Sequence, residues 1–135
     1  MAPRAPDHAE SFPPLLGPAP RVLILGSLPG RASLAAGEYY AHPRNRFWWV
    51  MGALFEAGRE LPYAERGERL RTRGIALWDV VQAARRPGSL DAAIERASLR
   101  HNDIAQLLKE QPTLAVLAFC LRAWRVLQDS VPAAV

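Results

Sequence analysis

Residues 21–26 read RVLILG, a continuous run of leucine and β-branched residues that ends in glycine. A run without polar alternation is typical of a strand that is buried on both faces of a sheet. Two further runs have the same character, GIALWDVV at residues 74–81 and TLAVLAF at residues 113–119. Because segments with helical spacing separate the three runs, the sequence predicts an α/β fold with a central parallel sheet that helices cover on both faces.

The helical segments are recognised by their apolar spacing and by their end residues. Apolar residues at positions 47, 50, 51 and 54 share one helical face. Pro62 suits the first turn of a second helix, and Asn102 or Asp103 can cap a later one. We therefore predict helices over residues 45–57, over 62–74, after residue 103 and over 121–128, with a long loop after residue 26 and a turn-rich segment, QAARRPGSLD, at residues 82–91.

The chain of 135 residues has the length of one domain. Residues 1–20 are rich in proline and are expected to run in extended form over the surface, ahead of a single domain at residues 21–135. No run of 18 apolar residues is present, so the sequence predicts neither a membrane span nor a secretory signal. The single cysteine, Cys120, suits a reducing cytoplasm and is expected to be a small buried apolar residue.

The charge balance favours a polyanionic partner, because 17 basic residues face 13 acidic ones. Of the 17 basic residues, 16 are arginine. This bias is consistent with phosphate recognition by guanidinium groups, and equally with a GC-rich genome. The composition alone therefore does not decide whether the chain binds nucleic acid.

A candidate ligand-binding turn, GSLPG at residues 26–30, follows the first predicted strand. Its glycines and proline form a tight turn that can present backbone N–H groups to a ligand at close range. Ligands of open parallel sheets bind beyond the carboxyl ends of the strands, where this turn lies. The turn is neither a Walker phosphate loop nor a dinucleotide fingerprint, because the GK[ST] and G-x-G-x-x-G patterns are missing.

The segment YYAHPRNRFWW, residues 39–49, combines aromatic rings with two arginines, a histidine and an asparagine. Aromatic and guanidinium groups together can stack a base and hold a phosphate backbone. At least two of the aromatic residues at positions 47–49 are expected in the core, because they begin a predicted helix. Tyr39 and Tyr40 have less reason to be in the core, since they precede that helix in a loop.

The stretch GSLPGRASLAAGEYYAHPRNRFWWVMGALFEAG resembles the first conserved block of the uracil-DNA glycosylase superfamily, most closely its hypoxanthine-DNA (deoxyinosine) glycosylase branch. The related mismatch-specific uracil glycosylases have G-x-N-P-G, a spacer, an aromatic residue and A-H-P-x-N-R-F-W. In this chain Leu28 stands where that branch has the asparagine that positions the attacking water. GIALWDVV, RPGSLD and HNDIAQLL also resemble the deoxyinosine branch, so the resemblance covers about residues 12–128.

The resemblance implies a three-layer α/β/α sandwich and a monofunctional DNA glycosylase that flips the damaged base out of the duplex without a metal or other cofactor. Its substrate would be hypoxanthine, with xanthine and uracil as further candidates. Asn45 would be catalytic by orienting the attacking water, although asparagine is also a common helix N-cap. Tyr40 would stack on the base. The base would also contact the turn residues Gly26, Ser27, Leu28, Pro29 and Gly30.

The residues expected to contact DNA are His42, Arg44, Arg46 and Ser89. Each has an alternative role: His42 can stabilise its own loop, the two arginines can be solvated surface residues, and Ser89 can cap the segment that follows it. Asp79 follows Trp78 at a strand end, where a carboxylate more often caps a turn than acts as a general base.

Two departures from the family pattern are visible. Phe119-Cys120-Leu121 replaces an F-N-G stretch, which removes an amide from the carboxyl end of the third strand. The chain ends at Val135, before the family's fourth strand and its L-P-S-T-S-P-A loop, so residues 21–135 are expected to form a C-terminally incomplete domain. The alternatives to an active, monomeric enzyme acting on damaged DNA are a catalytically impaired DNA-binding remnant and an α/β domain unrelated to nucleic acid.

Overall fold

The structure, a computed structural model, describes residues 7–130. Residues 1–6 of the predicted lead-in and residues 131–135, at the end of the domain predicted to be incomplete, lie outside the described residues. The strands are β1 His8–Glu10, β2 Val22–Gly26, β3 Ile75–Asp79, β4 Val81–Arg85, β5 Arg100–His101 and β6 Val116–Phe119. The α-helices are α1 Arg31–Ala36, α2 Phe47–Phe55, α3 Tyr63–Thr72, α4 Ile104–Glu110 and α5 Leu121–Ser130.

Strand β2 lies in the middle of a parallel sheet with the strand order β3-β2-β6. It pairs with β3 from Val22 opposite Ile75 to Gly26 opposite Asp79, and with β6 along its other edge. The predicted α/β fold with a central parallel sheet is confirmed. Because the three strands run in the same direction, their carboxyl ends meet at one edge of the sheet, which we call the carboxyl edge.

The side chains of β2 alternate between two helical layers. Leu23 and Leu25 are fully buried in a cluster that includes residues of α4 and α5. Val22 and Ile24 pack on the opposite face against a cluster that includes residues of α2 and α3. Helices therefore cover both faces of the sheet, which gives the three-layer α/β/α arrangement that the resemblance implied.

A second, antiparallel sheet with the strand order β1-β4-β5 was not predicted. Strand β4 occupies the first residues of the segment expected to be turn-rich. It forms because its backbone pairs on both sides, with β1 and β5, and because Val81 and Ala84 are buried. These partners are distant in sequence, so local propensity does not reveal them.

The described part of the proline-rich lead-in lies mostly at the surface, but it places three residues in the core, Ala9, Leu15 and Pro20. Leu15 is buried, and its N–H and C=O groups bond to the Leu77 backbone of β3 at 2.9 and 3.0 Å. The lead-in thereby covers the outer edge of β3. On the other side of the sheet, no strand among residues 7–130 pairs with the outer edge of β6.

The long loop after β2 contains a short helix, α1, that the sequence analysis did not predict. This helix ends at Ala36 and is followed by Gly37, whose φ of 68° lies in the left-handed region and whose N–H donates to Ser33 O. Helices α2 to α5 lie within a few residues of their predicted positions. None of the described helices is long and apolar enough to cross a bilayer.

Candidate active site

The candidate site lies at the carboxyl edge, where β2 ends at Gly26 and β3 ends at Asp79. The chain leaving β3 stays close to the predicted turn, since the Val80 N–H donates to Gly26 O at 2.8 Å. The turn at residues 26–30 is thus fixed to the neighbouring strand, and most of it is buried. A buried, immobilised turn is a suitable floor for a binding site.

The turn is held by Arg86, a buried residue that the sequence analysis did not single out. Its guanidinium donates to Leu28 O at 3.3 Å and to Pro29 O at 2.6 Å, and its Nε donates to Gly88 O at 3.0 Å. Burial lowers the pKa of this guanidinium, and the nearby Asp91 charge opposes the change. Bonds to three carbonyl oxygens give a buried cation the acceptors that it needs and fix the shape of the turn.

Two side-chain hydrogen bonds bring residues 89–91 over the same turn. Ser27 Oγ donates to Asp91 Oδ2 at 2.6 Å, and Ser89 Oγ accepts from the Arg31 N–H at 3.0 Å where α1 begins. Ser89 also lies beside Gly30, where an added Cβ would be 3.6 Å from its Oγ. The DNA contact expected of Ser89 stays a prediction.

Tyr40 reaches the turn with a backbone conformation that few non-glycine residues adopt. Its φ is 55°, in the left-handed region. Its ring stacks on Phe47, with the centroids 3.9 Å apart and the planes inclined by 23°. A Cβ placed on Gly26 would lie 3.1 Å from Tyr40 Oη and 2.6 Å from Asp79 Oδ1. Glycine at this position therefore leaves room for a phenol and a carboxyl at the end of β2.

Asp79 differs from the turn-capping carboxylate that the sequence analysis favoured. It is 4% exposed, and its Oδ2 has no hydrogen-bond partner within residues 7–130. Burial raises the pKa of Asp79 to about 7, the negative charge of Asp91 adds to the rise, and the positive charge of Arg86 opposes it. Burial likewise raises the pKa of Tyr40, and the Asp79 charge contributes. Asp79 is thus able to be neutral near pH 7.

The aromatic residues of the segment at 39–49 are divided between core and surface. Trp48 is fully buried, Phe47 is partly buried and packs against the core, and Trp49 is 67% exposed. The expectation for Tyr39 is wrong, because this residue is buried. The lead-in supplies a backbone carbonyl that accepts from Tyr39 Oη at 2.9 Å, and sequence spacing could not show this partner.

Asn45 lies on the exposed rim of the site. Its Oδ1 accepts a hydrogen bond from the Phe47 N–H at 2.9 Å, where α2 begins. This contact is of the helix-capping kind that was the alternative to catalysis, and it leaves a second lone pair on Oδ1. Since Phe47 also stacks on Tyr40, one residue links the two predicted site residues. The convergence of Asn45 and Tyr40 on one cleft stays a prediction.

The loop that carries Asn45 is held by Arg59, a second residue that the sequence analysis missed. Its Nη2 donates to His42 O at 2.7 Å, to Tyr40 O at 3.2 Å and to Asn45 O at 3.4 Å. One guanidinium therefore spans the loop and limits its shape. The side chains on this loop that were expected to contact DNA are all exposed: His42, Arg44 and Arg46.

Cys120 is exposed, although it was expected to be buried. It follows β6 directly, and its N–H donates to Leu25 O at 3.1 Å. Its Sγ accepts from the Ala123 N–H at 3.3 Å in the first turn of α5. The position of β6 explains the exposure, because no strand in the described part of the chain covers that side of the sheet.

Comparisons with known proteins agree on one family. The family model of the Uracil DNA glycosylase superfamily matches residues 13–131. The chain is 36% identical over 111 residues to proteins named hypoxanthine DNA glycosylase from Methanosarcina barkeri and from Methanosarcina acetivorans, with 82% of this chain and 69% of each relative covered. It is also similar to a solution NMR structure of a candidate uracil DNA glycosylase from Methanosarcina acetivorans, at a TM-score of 0.75 and 31% identity, covering 90% of this chain and 75% of that one.

Proposed function

Because the chain belongs to the uracil DNA glycosylase superfamily, we propose that it hydrolyses the N-glycosidic bond of hypoxanthine flipped out of DNA, with xanthine and uracil as further candidate substrates. One observation carries the proposal: the turn at residues 26–30 meets Tyr40 at the carboxyl edge, in a chain 36% identical to proteins named hypoxanthine DNA glycosylase. We further propose that the enzyme is a cytoplasmic monomer and that its substrate is damaged DNA.

The substrate nucleotide has to leave the duplex before it can react, because base stacking hides its glycosidic bond. Extrusion costs a few kcal/mol, and the cost is smaller for a mispaired base such as hypoxanthine. Stacking on an aromatic side chain returns about 1–3 kcal/mol per base. Phe47 covers one face of the Tyr40 ring, so we assign the base to the other face or to the phenol edge.

The turn supplies polar groups for the edge of the base. Arg86 already occupies the carbonyl oxygens of Leu28 and Pro29, so we assign the contacts with the base to backbone N–H groups of the turn. Such N–H groups can stabilise negative charge that develops on the leaving base. The Ser27 hydroxyl donates to Asp91, and its oxygen can therefore accept a hydrogen bond from the N1–H of hypoxanthine.

Asn45 is the proposed catalytic amide. Its Oδ1 has a second lone pair beside the bond from Phe47, and that lone pair can orient a water toward the anomeric carbon. Glycosidic cleavage passes through an oxocarbenium-like transition state. The water therefore does not need to lose its proton before it attacks, and an amide is sufficient to position it.

The exposed loop around Asn45 is the proposed contact with the DNA backbone. His42, Arg44 and Arg46 are exposed there, and guanidinium groups match the geometry of phosphate oxygens. Ser89 would reach the same backbone from beside Gly30. Arg59 keeps the loop in one shape before DNA arrives, which lowers the ordering cost of binding.

Base release from synthetic duplexes tests the proposed function. Duplexes that contain one deoxyinosine, deoxyxanthosine, deoxyuridine or deoxyadenosine are incubated with the protein, and abasic sites are then cleaved with alkali. We expect cleavage of the deoxyinosine duplex, none of the deoxyadenosine duplex, and a loss of about 100-fold or more in rate for Asn45→Ala. Tight binding of the deoxyinosine duplex without cleavage would contradict the proposal.

A DNA-binding protein without base release is the second candidate function. It is favoured by Cys120, which stands at the carboxyl end of β6 where the family pattern has an amide. This candidate predicts salt-sensitive binding with no abasic product, since counterion release drives association with phosphates. If Cys120→Asn creates base release that the natural chain lacks, this second function is correct.

A further inference from the structure

We propose that Asp79 is a further catalytic residue, whose carboxyl contacts the flipped purine and donates a proton to N7 of the base as it leaves. This inference rests on the proposed function and adds a residue to it. Asp79 ends β3 at the carboxyl edge, in parallel register with Gly26 at the end of β2. It therefore lies beside the turn that is proposed to bind the base.

The first supporting observation is the position of the carboxyl beside Tyr40. An added Cβ on Gly26 would be 2.6 Å from Asp79 Oδ1 and 3.1 Å from Tyr40 Oη, so both oxygens lie against the same glycine. A base that contacts Tyr40 from this side is then within reach of the carboxyl. Gly26 permits this arrangement because it has no side chain.

The second observation is the absence of a partner for the other carboxyl oxygen. Asp79 Oδ2 is buried and makes no hydrogen bond within residues 7–130. Buried polar atoms are nearly always bonded, and an exception in a native site calls for a functional explanation. A ligand that brings an acceptor atom to this oxygen would satisfy it.

Burial and the Asp91 carboxyl disfavour a negative charge on Asp79, whereas the Arg86 charge favours it. Arg86, the nearby cation, directs its guanidinium to the carbonyls of Leu28 and Pro29. The carboxyl of Asp91 repels a charge on Asp79, and burial raises the Asp79 pKa to about 7. The titratable groups that face Asp79 from the surrounding elements are Tyr39, Tyr40, Arg86, Asp91 and Cys120.

A neutral carboxyl in this position can act as a general acid. The bond between C1′ and N9 breaks, its electron pair goes to the base, and the Asp79 proton passes to N7. Water adds to C1′ and releases one proton, which returns to the Asp79 carboxylate through solvent. Hypoxanthine leaves as its neutral N7–H tautomer, so charge and protons balance. A general acid contributes about 100-fold to 10,000-fold to such a rate.

Single-turnover release of hypoxanthine by Asp79→Asn tests the proposal, because asparagine keeps the size of the side chain and carries no transferable proton. We expect deoxyinosine duplex binding to stay within about threefold of wild type and the rate at pH 6 to fall by about 100-fold or more. We also expect the wild-type rate to decline above pH 7 and the variant to lack this decline. Asp129→Asn is the matched control, because Asp129 is an exposed carboxylate of α5 that pairs with Arg96.

A second substrate keeps the test decisive if the variant does not fold. Wild type is given a duplex with 7-deaza-2′-deoxyinosine, which has a carbon in place of N7. We expect binding without release of this base, while the natural base is released. Equal release of both bases, or an Asp79→Asn variant as fast as wild type, overturns the role of Asp79. If wild type releases no hypoxanthine, the proposed function itself has failed.

Discussion

Gly26 has no side chain, and the space that a methyl group would occupy is already taken by Asp79 Oδ1 and Tyr40 Oη. These two oxygens belong to residues that are far apart in sequence. The backbone of Tyr40 is held in a left-handed conformation, and its ring lies on Phe47. The chemistry of the site thus depends on single residues whose positions are fixed by packing on all sides.

Replacing Gly26 by alanine tests this arrangement. Its methyl carbon would lie 2.6 Å from Asp79 Oδ1, so we expect Gly26→Ala to lower the unfolding free energy by about 1–3 kcal/mol and to abolish base release. In Gly30→Ala the nearest atom would be 3.6 Å away, and we expect a change of less than about 1 kcal/mol. Urea denaturation measures the unfolding free energy of both variants. Equal losses in the two variants would contradict the close approach of Asp79 to Gly26.

The raised pKa of Asp79 predicts a pH dependence of stability. The folded state holds the Asp79 proton up to about pH 7, whereas the unfolded state loses it near 3.8. Stability from this residue is therefore present at low pH and falls as the pH rises from about 4 to about 7, by up to about 4 kcal/mol. Asp79→Asn has no carboxyl to titrate at this position. The unfolding free energy of the variant should therefore rise relative to that of wild type as the pH increases from about 5 to about 8. If the unfolding free energies of the two proteins, measured by urea denaturation, change with pH in parallel, Asp79 is ionised in the folded protein.

At the scale of elements, β4 and the chain that follows it support the turn after β2. Strand β4 pairs with β1 and β5, and Arg86 comes directly after it. The guanidinium then bonds to the Leu28 and Pro29 carbonyls. The antiparallel sheet thus places a buried cation beside the turn at residues 26–30, which follows the central strand of the parallel sheet.

Adjacent arginines allow a matched test of this support. We expect Arg86→Ala to lower the unfolding free energy by about 2–4 kcal/mol, because two buried carbonyl oxygens lose their donor. Arg85 is half exposed, and its ion pairs with Asp7 and Glu95 lie near the surface, so Arg85→Ala should cost at most about 1 kcal/mol. Urea denaturation measures the unfolding free energy of both variants. Similar losses in the two variants would show that Arg86 does not support the turn.

The sequence predicted the elements whose signal is local. Strands β2, β3 and β6 are continuous apolar runs, and helices α2 and α3 have apolar spacing or a proline at the first turn. Strands β1, β4 and β5 were missed, because they are strands only through their pairing with one another. Helix α1 was missed because six residues inside a long loop provide too little periodicity.

The site was predicted in the same uneven way. The sequence predicted the turn at residues 26–30 and the loop with Tyr40 and Asn45 as parts of the site because they carry recognisable motifs. Arg59 and Arg86 could not be found, since each acts on carbonyls supplied by distant segments. Asp79 was considered as a general base, but its burial and the charges around it come from distant segments, so a turn-capping role was favoured. Sequence spacing does not report the environment of a charged group.

At the scale of the whole molecule, the excess of basic over acidic residues, 17 to 13, gives the chain a charge suited to DNA. Exposed arginines around Asn45 concentrate part of this charge beside the site. We expect binding to a deoxyinosine duplex to weaken with salt, and the slope of log Kd against log salt to fall by about one for each phosphate-contacting arginine removed.

The affinities of Arg44→Ala and Arg46→Ala for the duplex are measured by fluorescence anisotropy at salt concentrations from about 50 to about 200 mM, where affinities that depend on phosphate contacts fall steeply. Arg69→Ala is the control, because Arg69 pairs with Glu56 on the surface of α3. If all three variants have the wild-type slope, the loop around Asn45 does not contact the phosphate backbone.

The most direct test of the central claim is the identity of the molecule released from DNA. The protein is incubated in single turnover with a duplex that carries one deoxyinosine, and the small-molecule fraction is analysed by mass spectrometry. We expect free hypoxanthine in an amount equal to the abasic strand formed, and none from Asn45→Ala. A bound duplex that stays intact while no free hypoxanthine forms would contradict it.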